Sequence, residues 1–213
     1  MPSRLCRSRW TSRPNSYDGT IKATAHLGTT YNNRTVRIEE KPVGSSTYKV
    51  LRTAKVDSHG NLSASFTSTT SATVYAVFSG DYRYLPETSH TTASVHARVS
   101  EKESADHGSV RIGSTRYRVY HAGQKPTLTA TVAPGKAGKC GIAFTLQRWY
   151  GGAWHTVSTT SCVKANSSSA ASHAFSGLHT GQRYRVRATW SSTSSKDTRN
   201  LTTTGARAYL TVR

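Results

Sequence analysis

Residues 184–190 read YRVRATW. Tyr184, Val186, Ala188 and Trp190 alternate with Arg185, Arg187 and Thr189, the period of two that belongs to a β-strand with one face buried and the other wet. Residues 74–78, VYAVF, form a shorter and more continuously apolar strand of the kind expected inside a sandwich. Upstream of VYAVF the pattern recurs. Thr20–Leu27 (TIKATAHL), Val36–Glu40, Tyr48–Val56 and Leu62–Phe66 read as strands, with turn signals at Pro42-Val43-Gly44-Ser45 and at Asp57–Asn61. Ala93–Val99 reads as the last strand of a first unit.

A second unit repeats the first at an offset of about 106–109 positions. Thr127–Val132, Phe144–Arg148, Trp154–Thr159 and Tyr184–Trp190 answer strands of the first unit, with Tyr184 falling opposite Tyr75, and Ala208–Val212 closes it. Thr115–Tyr120 adds one strand in front. Short strands with a turn signal about every ten residues, and no helical period, indicate an all-β chain built as β-sandwiches.

Composition tests that reading. Leu, Ile, Val and Phe supply only 33 of 213 residues and Ser and Thr supply 60, which leans towards a disordered chain. Against it stand 11 Tyr, 4 Trp and 15 Val, residues that fit a pleated, half-buried surface. Thin cores are therefore expected rather than disorder. No apolar run approaches the length of a membrane-spanning helix, so no membrane insertion is expected.

The charge is uneven. Residues 1–16 carry Arg4, Arg7, Arg9 and Arg13 and no acid; residues 17–106 carry ten basic and nine acidic residues. Residues 107–213 carry fifteen basic residues and one acid, Asp197, out of a net +19 for the whole chain. The opening stretch MPSRLCRSRWTSRPNS has no apolar signal-peptide core and no strand alternation. A disordered basic segment or a misplaced start is the favoured reading of it, ahead of a basic arm for a polyanion.

Three stretches resemble one family: AHLGTTYNNRTV, KVDSHGNLSASF and VYAVFSGDYRYLPETS, the last carrying Phe78, Gly80, Asp81, Tyr84 and Pro86. They are similar to the bacterial immunoglobulin-like repeats of secreted and cell-surface proteins, over about residues 18–213. The second unit departs from the pattern, with Ser191-Ser192-Thr193-Ser194 where the Gly-Asp turn would stand. The resemblance implies two tandem immunoglobulin-like antiparallel sandwiches, at 17–100 and 114–213, joined by a polar linker at 101–113. It also implies a secreted or surface location and a spacer or adhesion role without catalysis.

Cysteine spacing adds a bridge. If the hairpin at Tyr150-Gly151-Gly152 sets Arg148 against Trp154, then Cys140 faces Cys162 across the same two strands, within disulfide reach. No zinc-type cluster competes for the pair, so no metal and no cofactor is expected. Cys6 is left over. A disulfide in turn implies an oxidising compartment.

No nucleophile elbow, HExxH, Walker loop or dinucleotide fingerprint is present, the nine histidines lack ligand spacing, and Glu39 and Glu40 point to opposite sides of one strand. The chain is not expected to be an enzyme. What remains is charge: Arg183, Arg185 and Arg187 form a row on the open face of their strand, and Arg116 and Arg118 form a shorter one with Tyr117 and Val119 turned inward. Such rows suit phosphate or carboxylate. The candidate partners are wall teichoic acid, another anionic polysaccharide, or nucleic acid met incidentally, against a plain solvated face. Trp154 and Trp190 are expected in the core and Trp149 at the surface.

Overall fold

A computed structural model describes residues 15–28 and 33–213. The described residues are all-β apart from one helical turn, and the chain divides into two compact units. Unit 1 runs to His96 and takes in Thr198–Asn200; unit 2 comprises Ala97–Asp197 and Leu201–Arg213. No helix of the described residues is long and apolar enough to cross a membrane.

Unit 1 holds β1 (Thr20–His26), β2 (Thr35–Pro42), β3 (Lys49–Lys55), β4 (Asn61–Thr67), β5 (Ala72–Phe78) and β6 (Glu87–Ala93). β1 pairs with β4, and the other four lie in the order β3-β2-β5-β6. The alternating apolar residues of both sheets meet in one core: Ile21, Ala23, Ala25 and Leu27 with Leu62, Ala64 and Phe66 on one side, Val36, Ile38, Val74, Ala76 and Phe78 on the other. Alanine at so many of these positions keeps the core thin, as the composition foretold. Asp57 and Asp81 organise turns rather than chemistry. The Asp57 carboxylate accepts the backbone N–H groups of His59 and Asn61. Asp81 accepts those of Arg83 and Tyr84 and ion-pairs with Arg34, whose guanidinium lies 4.4 Å over the Tyr84 ring. That is what the Gly-Asp-x-x-Tyr stretch does: it fixes the exit of β5.

Unit 2 contains β7 (Arg98–Glu103), β8 (Ser109–Ile112), β9 (Thr115–Tyr120), β10 (Thr127–Ala133), β11 (Cys140–Tyr150), β12 (Ala153–Thr159), β13 (Val163–Lys164), β14 (Ala170–Ala174), β15 (Arg183–Trp190), the turn α1 (Ser192–Ser195), β16 (Thr203–Thr204) and β17 (Ala208–Val212). One sheet has the order β14-β10-β7. The larger has the order β12-β11-β15-β17-β9-β8, with β17 and β9 parallel. Leu128, Ala130, Val132 and Ala171 of the small sheet share a core with Phe144, Leu146, Tyr184, Val186, Ala188, Trp190 and Leu210 of the large one. Tyr184 is buried, and its hydroxyl accepts the backbone N–H of His179 at 2.9 Å. This tyrosine, at the start of a core strand and bonded a few residues upstream, makes a corner of a kind also found in immunoglobulin-type sandwiches. Trp190 is wholly buried, and a Cβ at residue 141 would stand 2.6 Å from its indole, so only glycine fits there.

Three expectations need correction. Residues 101–113 are not a linker: β7 and β8 occupy much of that stretch, and the units part at His96/Ala97. Polar side chains misled because both are strands with polar and charged faces. Ala93–Val99 is accordingly split, β6 ending at Ala93 and β7 starting at Arg98. Tyr75 does not match Tyr184. It is half-buried on the face of β5 away from the core, its ring 5.3 Å from Tyr48, while Val74 and Ala76 point inward. The match of Tyr75 to Tyr184 is one residue out of phase, and a one-residue slip exchanges faces. The basic opening segment lies outside the described residues up to Pro14, and Cys6 with it; Asn15 bridges Val95.

Cys140 and Cys162 are bonded, their Cα atoms 5.4 Å apart. The register that carries them differs from the one expected. The hairpin closes with the two-residue loop Gly151-Gly152, both at positive φ, so Trp149 faces Trp154 and Arg148 faces His155. Register shifts then occur after Leu146 and again beside Cys140, where Lys164 is the ladder partner of Cys140. In the ladder Cys140 therefore lies two residues from Cys162, and the bond forms diagonally, to a cysteine in the 160–162 stretch that belongs to no strand.

Candidate functional site

The open face of the large sheet of unit 2 is where sequence signals converge. Because Tyr184, Val186 and Ala188 enter the core, Arg183, Arg185 and Arg187 leave on the opposite side of β15. The register sets Gln147 of β11 beside Arg185, Thr145 beside Arg187, and Tyr209 of β17 on the other flank of Arg185. Trp149 and Trp154 face each other across β11 and β12 at the same end.

These side chains form one assembly. The Arg183 guanidinium lies 5.0 Å over the Trp149 ring and that of Arg185 4.6 Å over Trp154. Arg185 Nε donates to Gln147 Oε1 at 2.6 Å. The aromatic rings continue across the sheet: Trp149 to Trp154 at 5.3 Å, Trp154 to Tyr209 at 5.8 Å, Tyr209 to Tyr117 at 5.5 Å, all edge to face. Tyr209 lies beside Arg185 on the neighbouring strand, and Tyr117 packs against Tyr209. Arg183 and Arg185 are thereby each held over a ring face, with further guanidinium N–H groups to offer. Among the described residues, no carboxylate lies within ion-pair distance of Arg183, Arg185 or Arg187. Burial, then the fields of Arg207 and Arg187, pull the Arg185 pKa below its ordinary value. The face is a fixed cluster of like charge.

Two placements differ from expectation. Trp154 is on this open face, not in the core, because the Gly-Gly turn shifts β12 by one residue; Trp190 alone of the three is a core residue. Arg116 and Arg118 do not extend the row. Parallel pairing sets Arg118 beside Leu210, on the core side of the sheet, and sends Tyr117 and Val119 to the face of Thr211 and Arg183. Tyr117 is buried all the same, under Tyr209 and the arginines, and burial raises its pKa. Arg118 pairs with Glu103 and with Asp106 at 2.7 Å, and Arg116 donates to Ser109 Oγ. Side-chain alternation shows which residues share a face, and only the neighbouring strands show which face is covered.

The boundary at Ala97 also changes the charge of unit 2. It gains Glu101, Glu103 and Asp106, which with Asp197 stand against sixteen basic residues, a net +12. Glu101 is the unusual one. β17 separates from β15 at Ala208, and the Glu101 carboxylate enters from β7 to accept the Ala188 N–H that the ladder leaves open. Burial pushes its pKa up to about 7, opposed by that hydrogen bond and by the field of Arg187 and reinforced by Glu103. The folded state therefore holds the Glu101 proton more tightly than an unfolded chain, whose carboxyl titrates at the ordinary glutamate value of 4.5. This group's contribution to stability is complete below that value and is lost as pH rises through about 7. Denaturation of the wild type between pH 4.5 and 7.5 should show that decline, and Glu101→Gln should flatten it.

No protein-family model matches the chain, that of bacterial immunoglobulin-like repeats included, and no curated protein matches it. Among solved structures, a marsupial T cell receptor is similar with a TM-score of 0.39 and 12% identity, over 93% of this chain and 70% of the receptor chain.

Proposed function

We propose that the protein is a secreted or surface-displayed, non-catalytic adhesion module of two immunoglobulin-like sandwiches, and that unit 2 holds an acidic wall polymer or polysaccharide on its arginine face. The single observation behind the binding role is the row Arg183, Arg185 and Arg187 with no carboxylate in ion-pair reach, its first two members fixed by Trp149, Trp154 and Gln147. A solvated face has no need of that scaffolding, because free arginines spread and hydrate at lower cost. Clustered guanidiniums repel one another, and an anionic polymer relieves the repulsion while taking bidentate hydrogen bonds. Both indoles already carry a guanidinium, which leaves less ring surface for bases and favours a polymer read by charge over single-stranded nucleic acid. The corner at Tyr184 supports the immunoglobulin-like reading, and the Cys140–Cys162 bond supports an oxidising location.

The test is retention of the full chain on acidic cell-wall polysaccharide across a salt titration. Affinity should fall steeply with salt, as for any contact made through several fixed charges. Replacing Arg183, Arg185 and Arg187 together by serine should weaken binding at least about tenfold and flatten the salt slope. Equal retention of the triple variant would remove the arginine face from the function. Preferential binding of a single-stranded oligonucleotide would move the assignment to nucleic acid.

A further inference from the structure

Glu101 lies against the arginine face from behind. One carboxylate oxygen accepts the Ala188 N–H, and Gly205 packs so close that a Cβ there would stand 2.6 Å from it. The second oxygen is buried and has no hydrogen-bond partner. Arg187, the next residue along β15, carries the positive field that acts on this carboxyl, and its own Nε is buried without a partner. The other groups around the carboxyl leave it to Arg187. Glu103, two residues along β7, adds negative charge and is itself paired with Arg118. β10 places Ala130 opposite Glu101, and Gly205 and the threonines of β16 carry no charge. An ionised Glu101 thus sets a negative charge behind one member of the arginine row without forming an ion pair with it. A neutral Glu101 does not.

We propose that Glu101 links proton uptake to anion binding: protonating its carboxyl removes the negative field that opposes an anion at Arg187, and a bound anion draws a proton onto Glu101 in return. This rests on reading the arginine face as an anion site, and it adds a direction, tighter binding in acid than in mildly alkaline surroundings. The two effects must be equal, since coupling between two bound species is reciprocal. The elevated pKa of Glu101 places the change near neutrality.

Dextran sulfate is a suitable probe because its sulfates keep their charge from pH 5.5 to 8. Binding to the full chain, measured by calorimetry at constant salt, should be about tenfold tighter at pH 5.5 than at pH 8, within the usual range of such couplings. Glu101→Gln keeps an acceptor for the Ala188 N–H, and at pH 8 it should bind about as tightly as the wild type does in acid. Histidines also gain charge as pH falls, so the decisive quantity is the difference between the two profiles. Superimposed profiles for wild type and Glu101→Gln overturn the coupling while leaving the binding face in place. Absence of binding at either pH overturns the face itself. Should Glu101→Gln fail to fold, Arg187→Gln decides: it should bind more weakly at pH 5.5 and lose the same part of the pH dependence, and an undiminished dependence overturns the proposal.

Discussion

Asp197→Ala is expected to destabilise unit 2 by about 3–5 kcal/mol, the cost of leaving one member of a buried ion pair without its partner. Asp197 and Lys136 are 7% and 6% exposed and sit 2.6 Å apart. Lys136 is anchored ahead of β11, where its backbone N–H donates to Ser169 Oγ at 2.7 Å. Asp197 follows α1, and its carboxylate also accepts the indole N–H of the buried Trp190 at 3.3 Å. Removing the carboxylate takes this ion pair from a buried ammonium and this acceptor from the indole N–H. Two long loops lose their common anchor at the same time. The double variant Lys136→Met/Asp197→Leu should recover most of the loss, because exchanging both charges for apolar groups avoids the uncompensated charge. Urea denaturation of the single and double variants measures this. Equal destabilisation by both would show that packing, rather than charge, holds the site.

Reduction of the Cys140–Cys162 bond should cost about 3 kcal/mol, the chain-entropy value for a loop of roughly twenty residues. The bond closes a separation of 22 residues. It spans a stretch where strand pairing is sparse: β12 ends at Thr159, β13 begins at Val163, and residues 160–162 belong to no strand. The covalent link stands where the regular ladder between β12 and β13 is interrupted, so its loss should fray β13 and the start of β11 first. Denaturation with and without reductant reads the size of the effect. Intact mass after alkylation tests the bond itself, since two alkylatable thiols at Cys140 and Cys162 in the unreduced protein would refute it.

The strands could be read from the sequence where alternation is clean. Thr115–Tyr120 and Ala208–Val212 coincide with β9 and β17, and the face on which Arg183, Arg185 and Arg187 lie follows from Tyr184 and Val186 alone. β7 could not be read, because its alternate residues Glu101 and Glu103 look like surface yet are partly buried by neighbours distant in sequence. Trp154 and Tyr117 were misplaced for a related reason. A Gly-Gly turn one residue shorter than expected exchanges the faces of β12, and a parallel neighbour far along the chain decides which side of β9 is covered.

The amino-acid sequence by itself determined that this chain forms strands, that its cores are thin, that a cysteine pair closes one hairpin and that positive charge gathers towards the C-terminal half. All of these are local, since they depend on the nature of residues one, two or a few positions apart. Only the tertiary structure decided that indoles hold two of the arginines, that Glu101 stands behind Arg187, and that Lys136 meets Asp197. Those are contacts between strands and loops far apart in the chain, set by register shifts and strand order that no local pattern encodes.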